Sequence, residues 1–193
     1  ETIALDTGKT VWRLARPALP ASADRRLGFA GMYEFQLTVM VVHDGVVLLG
    51  QPEPNSPHSY HTMPGSLYAF DARDGRQMWK HAYGAWGHCT QPDVFVVDGQ
   101  VWTHVDADGK FNIAENGWLK VPDTSNIDYR IQALDLRTGA VRKELPTKDL
   151  FNVGHHHRCY RNKITERFLT TSRRGVEFVD LVSGENYQNH WVR

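Results

Sequence analysis

The stretch Gly154-His155-His156-His157-Arg158-Cys159-Tyr160-Arg161 gathers more reactive side chains than any other part of this 193-residue chain. Imidazole ligates transition metals readily and titrates nearest to neutral pH. Successive side chains of an extended backbone point to opposite sides, so His155 and His157 share one side and His156 takes the other. A shorter run, Gly87-His88-Cys89-Thr90, has the same Gly-His opening. His88, His155 and His156, with Cys159 as a softer donor, are candidate ligands for Zn²⁺, Mn²⁺ or Cu²⁺. His157 and Tyr160 are candidates for moving a proton, with Arg158 and Arg161 placed to hold an anion. The plain structural alternative is that these groups only hydrogen-bond neighbouring loops. Cys89 and Cys159 are then two small buried thiols, the default for a chain with so few cysteines.

Other polar clusters carry less. His58, Tyr60 and His61 lie in a Pro-rich segment and read as a solvated lid or binding rim. Asp106-Ala-Asp108-Gly109-Lys-Phe-Asn112 lacks the full acidic series and the closing Glu of a calcium loop, so a hairpin turn is the better reading. No Gly-rich phosphate loop, nucleophile elbow or His-Glu-x-x-His motif occurs. Lys and Arg number 22, as do Asp and Glu. That balance leaves no electrostatic footprint for nucleic acid or an anionic membrane surface. No apolar run is long enough to span a bilayer as a helix. No signal-peptide pattern is visible, and an export signal would lie upstream of Glu1.

What positions these side chains is a repeat. Ala69-Phe-Asp71-Ala-Arg-Asp-Gly75-Arg-Gln-Met-Trp79 recurs as Ala133-Leu-Asp135-Leu-Arg-Thr138-Gly139-Ala-Val-Arg-Lys143, with Lys143 in the Trp place. Phe178-Val-Asp180-Leu-Val-Ser183-Gly184 repeats its left half. Ile3-Ala-Leu-Asp6-Thr7-Gly8-Lys-Thr-Val-Trp12 repeats it with two residues missing. Each copy is an apolar strand ending in Asp, a turn closed by Gly and a second strand. Ahead of the inner copies stand further hairpins: Thr38–Val42 and Val46–Leu49 around Asp44-Gly45, and Asp93–Val97 and Gln100–His104 around Asp98-Gly99. In the last unit His157–Arg161 reads as a strand, with a turn near Asn162-Lys163 and a partner at Arg167–Thr171. The aromatic and β-branched content favours sheet, and no segment holds a helical period over ten or more residues.

The signature glycines fall at 8, 75, 139 and 184, so they are spaced by 67, 64 and 45 residues. Units of four antiparallel strands, about 40–50 residues before insertions, are β-propeller blades. A β-sandwich would not place one motif at the same point of every unit. The expected fold is all-β, a partial propeller with blades at about 38–81, 93–145 and 157–192 and residues 1–13 ending a preceding blade. Propellers typically close with four to eight blades. The remaining blades are therefore expected from a longer polypeptide or from elsewhere.

The pattern Ala-x-Asp-x-x-Thr-Gly-x-x-x-Trp resembles the tryptophan-docking repeat of the quinoprotein, or PQQ-like, propellers. That bacterial superfamily includes quinoprotein alcohol dehydrogenases and the outer-membrane assembly lipoprotein of the BamB type. Ala69, Asp71, Gly75 and Trp79 match it, with Asp74 in the Thr place. Ala133, Asp135, Thr138 and Gly139 match it too, and Asp180 and Gly184 carry its core. The resemblance implies a Trp packed between neighbouring blades, so Lys143 implies a looser or differently filled joint. It speaks for fold more than for function.

Strand order puts segments 50–65, 82–92, 105–128 and 146–156 on one face. Eight of the ten histidines lie in or beside these segments: His58, His61, His81, His88, His104 and His155–His157. The expected function is an exported, periplasmic or extracellular binding or scaffold propeller with a His-rich ligand or metal site on that face. Its partners would be carbohydrate or cell-envelope protein. A second reading is a metal-assisted lyase or hydrolase acting on acidic polysaccharide through the His, Tyr and Arg side chains. A third, a PQQ-dependent dehydrogenase, has least support. The cofactor pocket of those enzymes uses an adjacent Cys-Cys pair, absent here, and no Ca²⁺ site is recognisable.

Overall fold

The turns set where the strands end. Asp44 and Gly45 have φ of 44° and 71°, and Asp98 and Gly99 have φ of 50° and 70°. Two successive left-handed residues make the type I′ turn, whose twist matches that of the flanking strands. In the signature turns the Gly amide donates to the carbonyl four residues back, Gly75 to Asp71 at 2.9 Å and Gly139 to Asp135 at 2.8 Å.

The computed structural model describes residues 2–14, 39–52, 62–86, 94–106, 129–146, 162–171 and 176–189. All fourteen elements among them are strands. β1 (Thr2–Ile3) and β2 (Thr10–Trp12) form a two-stranded hairpin. The first complete sheet holds β3 (Val39–His43), β4 (Val46–Pro52), β5 (Thr62–Asp71) and β6 (Gln77–Trp86). The second holds β7 (Phe95–Val97), β8 (Gln100–Asp106), β9 (Tyr129–Asp135) and β10 (Val141–Pro146). The third holds β11 (Lys163–Ile164), β12 (Phe168–Thr171), β13 (Val176–Asp180) and β14 (Asn186–Asn189). Every sheet is an antiparallel meander in chain order. These are propeller blades, three of them, preceded by a hairpin equivalent to the last two strands of another.

Two elements differ from the sequence reading. In the third blade the first described strand is Lys163–Ile164, paired with Thr170 and Leu169, and His157–Arg161 lies outside the described residues. The turn lies at Thr165–Arg167 instead of Asn162-Lys163. Thr165 makes it, its Oγ1 accepting from the Phe168 amide at 2.9 Å and its own amide donating to the Phe168 carbonyl at 2.8 Å. Asn162, a turn former by type, is buried. In the first hairpin no residue is missing. Gly8 donates to Ala4 at 2.8 Å, as Gly75 does to Asp71, so Ala4 holds the Asp position and Asp6 stands where Arg73 and Arg137 do. The turn closes through its backbone and Gly, and does not require the carboxylate.

The core lies in the seams between blades. Val46, Leu48, Leu67, Ala69 and Trp79 of the first blade pack with Val94, Val101, Leu134 and Leu136 of the second. Trp102, Ile131, Ala133 and Leu145, from the other face of the second blade, pack with Leu169, Val179 and Leu181 of the third. Side chains alternate across a strand, so the second sheet buries both faces.

Each seam is pinned at its turn edge. The Trp12 ring lies against Gly75, so close that a Cβ there would meet Cδ2 and Cε3 at 2.7 Å, and Trp12 Nε1 donates to the Ala72 carbonyl at 2.8 Å. Trp79 treats the next turn the same way. A Cβ at Gly139 would meet its ring at 2.7 Å, and its Nε1 donates to the Leu136 carbonyl at 2.9 Å. At the third joint Lys143 takes the Trp place and donates from Nζ to the Val182 carbonyl at 2.7 Å, one residue further along. Leu145 fills the space over Gly184, its Cδ2 3.3 Å from a Cβ placed there. The joint is differently filled, as Lys143 implied.

Gly8→Ala and Gly139→Ala separate the two demands on these glycines. Nothing lies within 4 Å of a Cβ at Gly8, so that variant meets only backbone strain. Gly139→Ala must also displace Trp79. Urea unfolding is expected to show a loss larger by about 2 kcal/mol for Gly139→Ala. Equal losses would remove the docking role of Trp79.

Candidate functional site

The repeated Asp residues are staples. Asp71 accepts from the Arg73 amide at 3.0 Å, and its other oxygen takes Arg73 Nη2 at 2.7 Å. Asp135 Oδ1 accepts from the amides of Arg137 at 3.0 Å and Thr138 at 2.8 Å, and from Thr138 Oγ1 at 2.9 Å. Its Oδ2 takes Arg142 Nη2 at 2.9 Å. Asp180 accepts from the amides of Val182 at 2.8 Å and Ser183 at 3.2 Å, and from Arg167 Nη2 at 3.0 Å. The same ionised form is favoured each time, by Arg73 on Asp71, Arg142 on Asp135 and the Val182 amide on Asp180. All three carboxyls are held below the usual carboxylate range. Each carboxylate accepts from the amides of its own turn and from a guanidinium, a structural use of the side chain.

A second polar arrangement crosses the seam between the first and second complete blades. His81, on β6, meets Gln132 of β9, with Nε2 2.8 Å from Oε1. Gln132 Nε2 donates to Glu144 Oε2 at 2.6 Å, and Arg130 Nη1 donates to Glu144 Oε1 at 2.9 Å. A carboxylate only accepts, so the Gln132 amino group must face Glu144 and its carbonyl must face His81. His81 therefore donates from Nε2. Gln132 first, then Arg130, holds the Glu144 carboxyl below its ordinary value. The sequence reading placed His81 beside the histidine-bearing segments and missed its partners. One signal was there: Gln132 interrupts the apolar run Ile131, Ala133, Leu134, and Glu177 stands at the same point of the third blade.

The meander separates the two ends of each sheet. The turns at 44–45, 72–76, 98–99 and 136–140 lie at one edge, with every joint and Asp staple. The cross-blade ion pair Arg137–Asp44, at 2.6 Å, lies there too. The other edge is where segments 53–61, 87–93, 107–128 and 147–161 join the described strands. Near that edge Gln51 is buried, and its Oε1 has no hydrogen-bond partner among the described residues. His58, His61, His88, Cys89, His155, His156, His157, Arg158, Cys159 and Tyr160 belong to these segments and lie outside the described residues. Among the described residues no group of three or more His, Cys, Asp or Glu could hold a metal ion, and no helix is long and apolar enough to cross a membrane.

No protein-family model matches the chain, and no curated protein does. Among solved structures it is similar to a europium-containing methanol dehydrogenase, at 18% identity and a TM-score of 0.34. That likeness covers 56% of this chain and 15% of the dehydrogenase. It is also similar to BamB from Moraxella catarrhalis, at 16% identity and a TM-score of 0.27, over 76% of this chain and 47% of that one. The chain thus spans less than half the length of either.

The carboxylate staples give acid sensitivity a definite sign. Their folded pKa values lie below the unfolded ones, so their contribution is complete above about pH 4 and is lost as the pH falls below it. Asp135→Asn is expected to lower the thermal midpoint at neutral pH, and the gap to wild type should narrow as the pH falls below about 4. Melting curves across that range check it. A gap that stays constant would mean that Asp135 acts by shape alone.

Proposed function

We propose that the chain is a binding or scaffolding propeller of the PQQ-like repeat class. In this reading it is exported to the periplasm or cell exterior and holds a ligand or divalent metal ion at its histidine-bearing edge. The observation that carries the proposal is the division between the two sheet edges. Three joints and three Asp staples occupy the turn edge. The His-Arg-Cys-Tyr runs of the sequence belong to segments joined to the other edge, and loops held on a rigid scaffold are where binding residues concentrate. Export rests on the resemblance of the repeat, and carbohydrate or a cell-envelope protein are the partners that resemblance suggests.

His88, His155 and His156 would supply imidazole nitrogens from two successive inter-blade segments, and Cys159 a thiolate. That mixed set suits Zn²⁺ or Cu²⁺ better than Mg²⁺ or Ca²⁺, which prefer oxygen. Metal analysis of the purified full-length protein tests the reading directly. The expected result is one equivalent of Zn, Mn or Cu, lost in a His155→Ala/His157→Ala variant that keeps the parent's circular dichroism. Protein that takes up no metal from stoichiometric Zn²⁺, Mn²⁺ or Cu²⁺, with a variant identical to the parent, would sink the metal site.

A further inference from the structure

The second and third joints use the same places and different residues. At the second, between the first and second complete blades, three polar ties cross from blade to blade. Trp79 Nε1 donates to the Leu136 carbonyl at 2.9 Å, and Arg137 Nη2 donates to Asp44 Oδ2 at 2.6 Å. His81 Nε2 donates to Gln132 Oε1 at 2.8 Å. Strand register aligns the third joint with the second. Lys143 lies opposite Ala133 as Trp79 lies opposite Ala69, so Leu145 takes the place of His81. Val182 precedes Gly184 as Arg137 precedes Gly139, and takes the place of that arginine.

One of the three ties survives at these places. Lys143 Nζ donates to the Val182 carbonyl at 2.7 Å. Asp98 stands in the turn equivalent to that of Asp44, but the Val182 side chain has no donor to give it and is 71% exposed. Glu177 stands where Gln132 does, 1% exposed, and Leu145 has no polar atom to offer it. The surviving tie is also of a cheaper kind to break. Opening the second joint exposes the Trp79 ring to water, whereas opening the third returns an ammonium and a carboxyl to it.

We propose that the third joint is a hinge, at which the third blade swings away from the second while the second joint stays shut. The surviving bond lies at the turn edge, so displacement about it grows toward the opposite edge, where the histidine-bearing segments join the strands. The hinge thereby sets how far apart the second and third blades hold that edge. It does not depend on the metal reading and survives its failure.

Leu136 and Leu181 occupy aligned positions in the two joints, and each is 3% exposed. Leu136→Cys and Leu181→Cys variants of the full chain are exposed to a thiol reagent under native conditions, and each site is followed by peptide mass spectrometry. Labelling is expected to be about tenfold or more faster at Leu181→Cys. Val182→Arg supplies Asp98 with the missing guanidinium and is expected to slow that labelling by about two- to fivefold. Adding Asp98→Asn is expected to cancel the gain. Equal labelling at the two sites would overturn the proposal. So would a Leu181→Cys thiol that opens no more often than its own amide, which is bonded within the third blade to Arg167 at 2.7 Å and is freed when the turn frays. Where a Cys variant fails to fold, hydrogen exchange of the unsubstituted chain in urea below its transition decides. The β13 amides are expected to open before those of β9, and Val182→Arg to bring the two together. One common opening would overturn the hinge.

Discussion

An indole laid on a glycine, with its N–H given to a carbonyl of the next blade, is the contact on which the arrangement of these sheets depends. A blade that is apolar on both faces cannot be stable alone, and packing leaves open at what angle and register it meets its neighbour. Trp12 and Trp79 remove that freedom. Burying most of a large aromatic side chain contributes about 2–3 kcal/mol, and a buried indole N–H needs an acceptor. The carbonyls of Ala72 and Leu136 meet that need at one point each. Any side chain at Gly75 or Gly139 would occupy the place of the ring. At the third joint Lys143 keeps a bond to the turn carbonyls and loses the ring, and Leu145 supplies the missing volume.

Because the joints and carboxylate staples all lie at the turn edge, the opposite edge is released from holding the blades in register. Long and chemically varied segments can then be attached there without disturbing the seams. The seam itself is not wholly apolar. His81, Gln132, Glu144 and Arg130 form a polar chain across it, in which His81 donates to Gln132 and both Gln132 and Arg130 donate to Glu144. Such a chain tolerates little change, since removing one member leaves its neighbours without partners.

Much of this was legible residue by residue. Asp44-Gly45 and Asp98-Gly99 announce type I′ hairpins, and the recurrence of Asp, Gly and Trp at one spacing announces blades. The misreadings have physical causes. Asn162 is a turn former by type, but Thr165 can close its own turn with hydroxyl and backbone, and it does. Asp6 was matched to Asp71 by identity, whereas the backbone bond from Gly8 to Ala4 decides the register. The partnership of His81 with Gln132 joins residues 51 apart in the sequence, a distance at which no local pattern operates. The histidine-bearing runs were legible as chemistry, and their geometry lies outside the described residues.

By itself, the sequence determined the strands, the turns and the kind of unit they build. These depend on short-range facts: the alternation of apolar residues, the positive φ that Gly allows, and the carboxylate that caps a turn two residues on. Tertiary structure alone decided which carbonyl each indole reaches and that Lys143 could stand in for Trp. Those outcomes depend on what another blade brings to the same point in space. The order of residues along one chain does not encode that proximity locally, and only the packed sheets bring it about.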